Sequence, residues 1–143
     1  MDSAGRLLAI DLGAKRVGVA ISDELGIAIR PLPAIARRSW KDLLRQIVAL
    51  VEEFQAKALV VGLPLRLDGV EGEAAASARS AASKFQQSLG IPVLLQDERL
   101  TSLEAESDLR SAGKSGREIK GEIDSAAAAV ILRDFIADRD RRS

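Results

Sequence analysis

The stretch from Leu7 to Asp23 constrains the fold more than any other. Leu7-Leu8-Ala9-Ile10 is an apolar run too short for a helix, the pattern of a buried central strand. That run ends on the carboxylate of Asp11. A turn containing Gly13 follows, with Lys15 and Arg16 beside it. Val17, Val19 and Ile21 then alternate with Gly18 and Ala20 at the period of a second strand. A hairpin whose first strand finishes in an acid, with two cations at its tip, suits an anionic ligand, a metal, or both. Asp before Leu-Gly is equally a common turn opener, because its side chain bonds the backbone two residues on. The hairpin alone leaves both readings of Asp11 open.

Residue types narrow the chemistry. A chain of 143 residues with 47% hydrophobic content suits a single domain spanning residues 1–143. Cysteine is absent, which excludes disulfides and fits a reducing cytoplasm. Histidine is absent too, which removes the commonest general base, the commonest transition-metal ligand and every triad built on Ser-His or Cys-His. No apolar run is long enough to span a membrane, and the first residues lack the shape of a signal peptide, so the expected location is cytoplasmic with no membrane partner. An enzyme made from this chain works with carboxylates, Lys and Arg, hydroxyls and bound metal.

Lys plus Arg balance Asp plus Glu, a net charge of zero, but the charges are unevenly spread. Arg30, Arg37, Arg38, Lys41 and Arg45 face the single acid Asp42 in their stretch, and Lys114, Arg117 and Lys120 cluster in a glycine-bearing segment. Such runs are compatible with phosphate contacts, though charged stretches are more often solvated faces. Trp40, Phe54, Phe85 and Phe135 are the only aromatics, too few for a platform that stacks single-stranded bases.

Along the chain, a third strand is expected over residues 27–35, ending among Pro31 and Pro33. Ser39 then caps a helix whose stripe is Trp40, Leu43, Leu44, Ile47, Leu50, Val51 and Phe54. Residues 58–63 form a continuous apolar run, as in a parallel strand covered on both faces, and Pro64 stops it. A helix from near Glu71 carries Ala78, Ala82, Phe85 and Leu89 on one face and ends at Gly90. Residues 91–96 read as another buried strand. Thr101-x-x-Glu104 is a capping box that opens a helix reaching about Ala112, residues 113–121 read as a loop, and a last helix runs from about Glu122 to Ala137. This order predicts an α/β fold: a five-stranded mixed sheet, three antiparallel strands and then two parallel ones, with helices on both faces.

Three acids come together on that scheme. Asp11 ends the first strand, and Glu98 lies just past a strand parallel to it, so both belong at the carboxyl edge where sites form in open parallel sheets. Asp124 starts the last helix, whose Ala128, Ile131 and Phe135 should pack on the sheet, with residues 126–129 permitting close approach. Converging carboxylates repel, and a divalent cation resolves the conflict; oxygen ligands without histidine favour Mg²⁺ or Mn²⁺ over zinc. Singly, Asp124 could be a helix N-terminal acid matched to the dipole, and Glu98 a surface residue paired with Arg99. Jointly, one metal site accounts for all three.

The chain resembles the YqgF/RuvX family of Holliday-junction-resolvase-like nucleases, in the RNase H-like superfamily. The resemblance covers nearly the whole chain. It rests on Asp11-Leu12-Gly13-Ala14-Lys15-Arg16-Val17-Gly18-Val19-Ala20, on Val61-Gly62-Leu63-Pro64-Leu65 with Asp68-Gly69, on Asp97-Glu98-Arg99-Leu100-Thr101-Ser102, and on Ile123-Asp124-Ser125-Ala126-Ala127. It implies an RNase H-like fold and Asp11, Glu98 and Asp124 as the catalytic, metal-holding triad. In wider RNase H-like nucleases an acid commonly sits on the fourth strand; residues 59–63 lack one, and Glu98 takes that role. The family is associated with trimming the 5′ end of precursor 16S rRNA, and some members with cleaving branched DNA.

The implied mechanism is phosphodiester hydrolysis by two ions about 4 Å apart, which clamp the attacking water and the leaving oxygen. Asp11 would bridge the ions, with Glu98 and Asp124 each holding one. Lys15, Arg16, Arg99, Lys114, Arg117 and Lys120 would neutralise the backbone of the substrate, a structured RNA such as precursor rRNA or a branched DNA. A four-way junction needs two symmetric cuts, which would call for a homodimer. Two other classes compete. The Asp-x-Gly-x-Lys/Arg-x-Gly hairpin resembles the first phosphate loop of actin-like ATPases and sugar kinases, but those need a second such domain. A non-catalytic nucleic-acid-binding module of ribosome assembly would have little use for three intact carboxylates.

Overall fold

The computed structural model describes residues 5–66, 68–98 and 116–142, with the backbone alone for 116–124 and 142. The described residues form five strands, β1 (Leu7–Leu12), β2 (Arg16–Ser22), β3 (Ile29–Ala36), β4 (Ala58–Pro64) and β5 (Val93–Glu98). Three helices accompany them, α1 (Trp40–Phe54), α2 (Glu73–Ser88) and α3 (Gly116–Arg142). The strands make one sheet in the order β3-β2-β1-β4-β5. β1–β2 and β2–β3 pair antiparallel, while β1–β4 and β4–β5 pair parallel. This is the mixed sheet that the element order implies, with β1 at its centre.

Alternation along the strands divides the core in two. Leu8, Ile10, Val17, Val19, Leu59, Val61 and Leu63 point to one face, where Leu43 and Ile47 of α1 and Ala78, Ala82 and Phe85 of α2 cover them. Leu7, Ala9, Ala20, Ala58 and Val60 point to the other, under Ala128, Ile131 and Leu132 of α3. Helices thus lie on both faces. α1 starts as its sequence predicts, with the Ser39 hydroxyl accepting the Asp42 N–H at 3.1 Å. Trp40, in the first turn, packs its ring on Phe85 with centroids 4.7 Å apart.

Several boundaries differ from expectation, among them the end of α3, at Arg142 rather than about Ala137. β3 spans Ile29–Ala36 rather than 27–35, a small shift. β5 spans Val93–Glu98 rather than 91–96. Pro92 cannot donate to a ladder, although its carbonyl still accepts the Leu59 N–H at 2.9 Å, so regular pairing starts one residue later and Glu98 becomes part of the strand. The largest correction concerns α3, which begins at Gly116 and not near Glu122, so residues 116–121 are helical and not a loop. Gly121 reads as a breaker, yet a glycine inside a helix costs only about 1 kcal/mol relative to alanine, which packing of the later turns on the sheet offsets. The expected helix over residues 101–112 lies outside the described residues.

Candidate metal and nucleic-acid site

The β1–β2 turn is closed by its backbone. The Gly13 N–H donates to the carbonyls of Asp11 at 3.1 Å and Arg16 at 3.0 Å. That N–H is the one the turn-opener reading assigns to the Asp11 carboxylate. A side chain on Gly13 would sit 2.7 Å from the Arg16 carbonyl oxygen, so the tight turn requires glycine. The next turn makes the contrast: there Asp23 accepts the Ile27 N–H at 2.8 Å, a bond that holds its carboxyl below the ordinary range. Asp23 is the turn acid, and Asp11 is half-buried at the end of the central strand.

Register places Asp11 and Glu98 on one face. Asp11 follows Leu7 and Ala9 at the strand period and so belongs to the α3 side. On β5, Gln96 bonds Asp138 of α3 at 2.8 Å, which fixes that residue and Glu98, two positions on, to the same side. Glu98 pairs with Pro64 at the carboxyl edge, and its carbonyl accepts the Leu65 N–H at 2.9 Å. Its neighbour Asp97 falls on the opposite face. There the Glu71 carboxylate, bonded to Arg79 at 2.7 Å, raises the Arg79 pKa, and Asp97 adds a smaller push in the same direction. β1 and β5 flank β4, and Glu98 lies two residues farther along than Asp11, so the two backbones stand roughly 12 Å apart. Among the described residues no three acidic side chains close around one point.

Asp124 lies on α3 about two turns after the helix begins. A helix-dipole role is confined to the first turn, so the N-terminal-acid reading of Asp124 does not hold. The backbone at Asp124 is located by its neighbour. Ser125 is buried, and its hydroxyl accepts the Val19 N–H at 3.4 Å and donates to the Leu32 carbonyl. Val19 and Leu32 are partners across β2 and β3 at the point where the register slips. The hydroxyl therefore stitches α3 to a bulge, and Val19 in turn pairs with Ile10, the residue before Asp11. Further along α3, Ile131 lies so close to β4 that a side-chain carbon on Gly62 would meet its Cδ1. Helix and sheet approach closely because one of them has no side chain there. The α3 side of β4, carrying Ala58, Val60, Gly62 and Pro64, holds no acid.

Among the cations, Lys15 is exposed in the β1–β2 turn and Arg16 opens β2. Arg117 and Lys120 lie on α3 and not on a loop. Arg99 and Lys114 lie outside the described residues. In the sequence Ser125 and Gly62 are motif members without a role of their own. Their packing roles depend on strand register, which no local pattern reveals.

For metal, the donor set is all oxygen in a chain without His or Cys, which fits a hard divalent cation. Asp11 and Glu98 share a face and an edge of the sheet.

A family model described as RuvX, Holliday junction resolvase, matches residues 5–138. A protein of Anaeromyxobacter sp. strain K, named as a candidate pre-16S rRNA nuclease, is 44% identical over 138 residues, covering 96% of this chain and 98% of that one. A protein of the same name from Klebsiella pneumoniae is 39% identical over 132 residues, covering 92% and 96%. Among solved structures, Thermus thermophilus RuvC in complex with a Holliday junction substrate superposes with a TM-score of 0.58 at 14% identity, covering 95% of this chain and 96% of that one. That likeness shows the RNase H-like fold. The match across nearly the whole chain and the identity to relatives of the same length place the chain in the RuvX family.

Proposed function

We propose that the chain is a metal-dependent nuclease that hydrolyses phosphodiester bonds, and that its substrate is the 5′ region of precursor 16S rRNA. The observation that carries this reading is the placing of Asp11 and Glu98 on one face at the carboxyl edge of the sheet, beneath the helix that holds Asp124. The names of the relatives support the substrate. Asp11, Glu98 and Asp124 would hold Mg²⁺ or Mn²⁺. Bound there, such ions would lower the pKa of water and neutralise charge on the phosphate, which a chain without histidine needs. Lys15, Arg16, Arg99, Lys114, Arg117 and Lys120 would bind the substrate backbone, which fixes its register without reading bases. Work on precursor rRNA would take place in the cytoplasm; among the described residues no helix is long and apolar enough to cross a membrane.

The description of the family favours one second reading, cleavage of four-way DNA, which would call for a twofold dimer. Purified protein with Mn²⁺ on a precursor rRNA leader and on a four-way junction, sized in parallel, decides between them. EDTA should abolish cutting, and Mg²⁺ or Mn²⁺ but not Ca²⁺ should restore it. Full activity in chelator would sink the mechanism.

A further inference from the structure

The end of the sheet that carries Asp11 also gathers cations from two separate connections. The Arg37 N–H donates to the Lys15 carbonyl at 2.9 Å, and the Arg37 guanidinium donates to the Gly13 carbonyl at 2.9 Å. These bonds tie the link between β3 and α1 to the β1–β2 turn. Lys15 on one connection and Arg16 at the start of β2 therefore stand next to Arg37 and Arg38 on the other connection and Lys41 in the first turn of α1. Lys84 of α2 joins them, its Nζ 5.3 Å from the centre of the Trp40 ring.

Lys15, Arg38, Lys41 and Lys84 are exposed, and none of them is ion-paired with a carboxylate of the described residues. The one acid of this stretch, Asp42, is already engaged by Arg45 at 2.6 Å and by Gln46 at 2.8 Å. Four unneutralised cations beside one another cost repulsion, a cost that an anionic polymer removes. Asp11 belongs to the α3 face, whereas α1 and α2 cover the opposite face. The cations thus begin at the edge of the candidate site and continue onto the far side of the sheet.

Resting on the nuclease reading, we propose that Lys15, Arg38, Lys41 and Lys84 form a second contact surface for the sugar-phosphate backbone, on the α1–α2 side. Nucleic acid longer than the reacting segment passes over the rim of the sheet from the Asp11 face and lies along this surface. Arg37 is a positioning residue there, because its hydrogen bonds hold the two connections together. Short substrates never reach the surface, so the enzyme favours phosphates with a long flank on one side.

The test uses the full chain and the double variant R38A/K41A. Substrates are one short RNA from the 5′ region of precursor 16S rRNA and the same RNA with a long flank. Binding of the long RNA should weaken on the order of tenfold at 0.1 M salt. Its salt slope should fall by about 1.4 if the flank is single-stranded and about 1.8 if it is duplex. KM for the long RNA should rise with kcat held, and KM for the short RNA should move by less than twofold. A matched loss of charge elsewhere, R30A/K57A, should leave the slope in place. An unchanged slope, or equal losses on the short and long RNA, overturns the proposal. The nuclease reading fails separately: a wild type that cuts neither RNA refutes it, while the binding slope still judges the surface.

Discussion

Under α1 and α2 the strands present Leu8, Ile10, Val17, Val19, Leu59, Val61 and Leu63, and the helices answer with Leu43, Ile47 and Phe85. Under α3 they present Leu7, Ala9, Ala20, Ala58, Val60 and Gly62, and the helix answers with Ala128, Ile131 and Leu132. The first face is thick with branched and aromatic carbon and takes its stability from burial. The second exchanges apolar volume for nearness, so that a serine on the helix can bond the backbone of two strands. The acids read as the metal site belong to this second face. The first face is thick, and the second brings a helix close to the strands.

That contrast can be broken in four places. The largest effect expected is on chemistry: Asp11→Asn should lower the cleavage rate on the order of a thousandfold. It should also remove the rise in melting temperature that Mn²⁺ gives the wild type. An equal Mn²⁺ shift in both proteins would show that Asp11 holds no metal.

Phe85→Ala, on the thick face, should cost about 3–5 kcal/mol by denaturant unfolding, since Phe85 is fully buried and touches both helices' apolar layer. The protein that remains folded should keep its Mn²⁺ response. Gly62→Val, on the thin face, should cost less, about 1–3 kcal/mol, because β4 and Ile131 must separate. Its cleavage rate, measured well below the melting temperature, should nonetheless fall more than that of Phe85→Ala. The opposite ranking would mean that closeness on this face serves packing alone.

The smallest change is Ser125→Ala, expected to cost about 1 kcal/mol and to weaken the Mn²⁺ shift, since the Val19 N–H and Leu32 carbonyl lose their shared partner. Loss of stability with an intact Mn²⁺ response would confine Ser125 to holding the bulge.

Much of this was legible before any coordinates. A four-residue apolar run ending in an acid marked β1, a serine three residues before Asp42 marked the start of α1, and the run 58–63 marked β4. The common face of Asp11 and Glu98 follows from the period of two once the strands are aligned, but alignment needs the β5 boundary, and Pro92 displaced it. The start of α3 is not legible locally, because Gly121 is a local breaker signal and the helix is decided by long-range packing of its later turns. Ser125 was invisible as an anchor, because its partners exist only where β2 and β3 slip out of register. Asp11 and Asp23 each precede a glycine turn and look alike in sequence; only the hydrogen bonds distinguish them.

The slip between β2 and β3 bears on how copies of the chain meet. β3 is an outer strand, and outer strands invite neighbouring molecules to add on and polymerise. Pro31 and Pro33 each remove a donor from β3, and the irregular register interrupts its spacing against β2. A second copy would find no continuous row of N–H groups to zip onto. The protein is thereby guarded against runaway sheet growth along that margin.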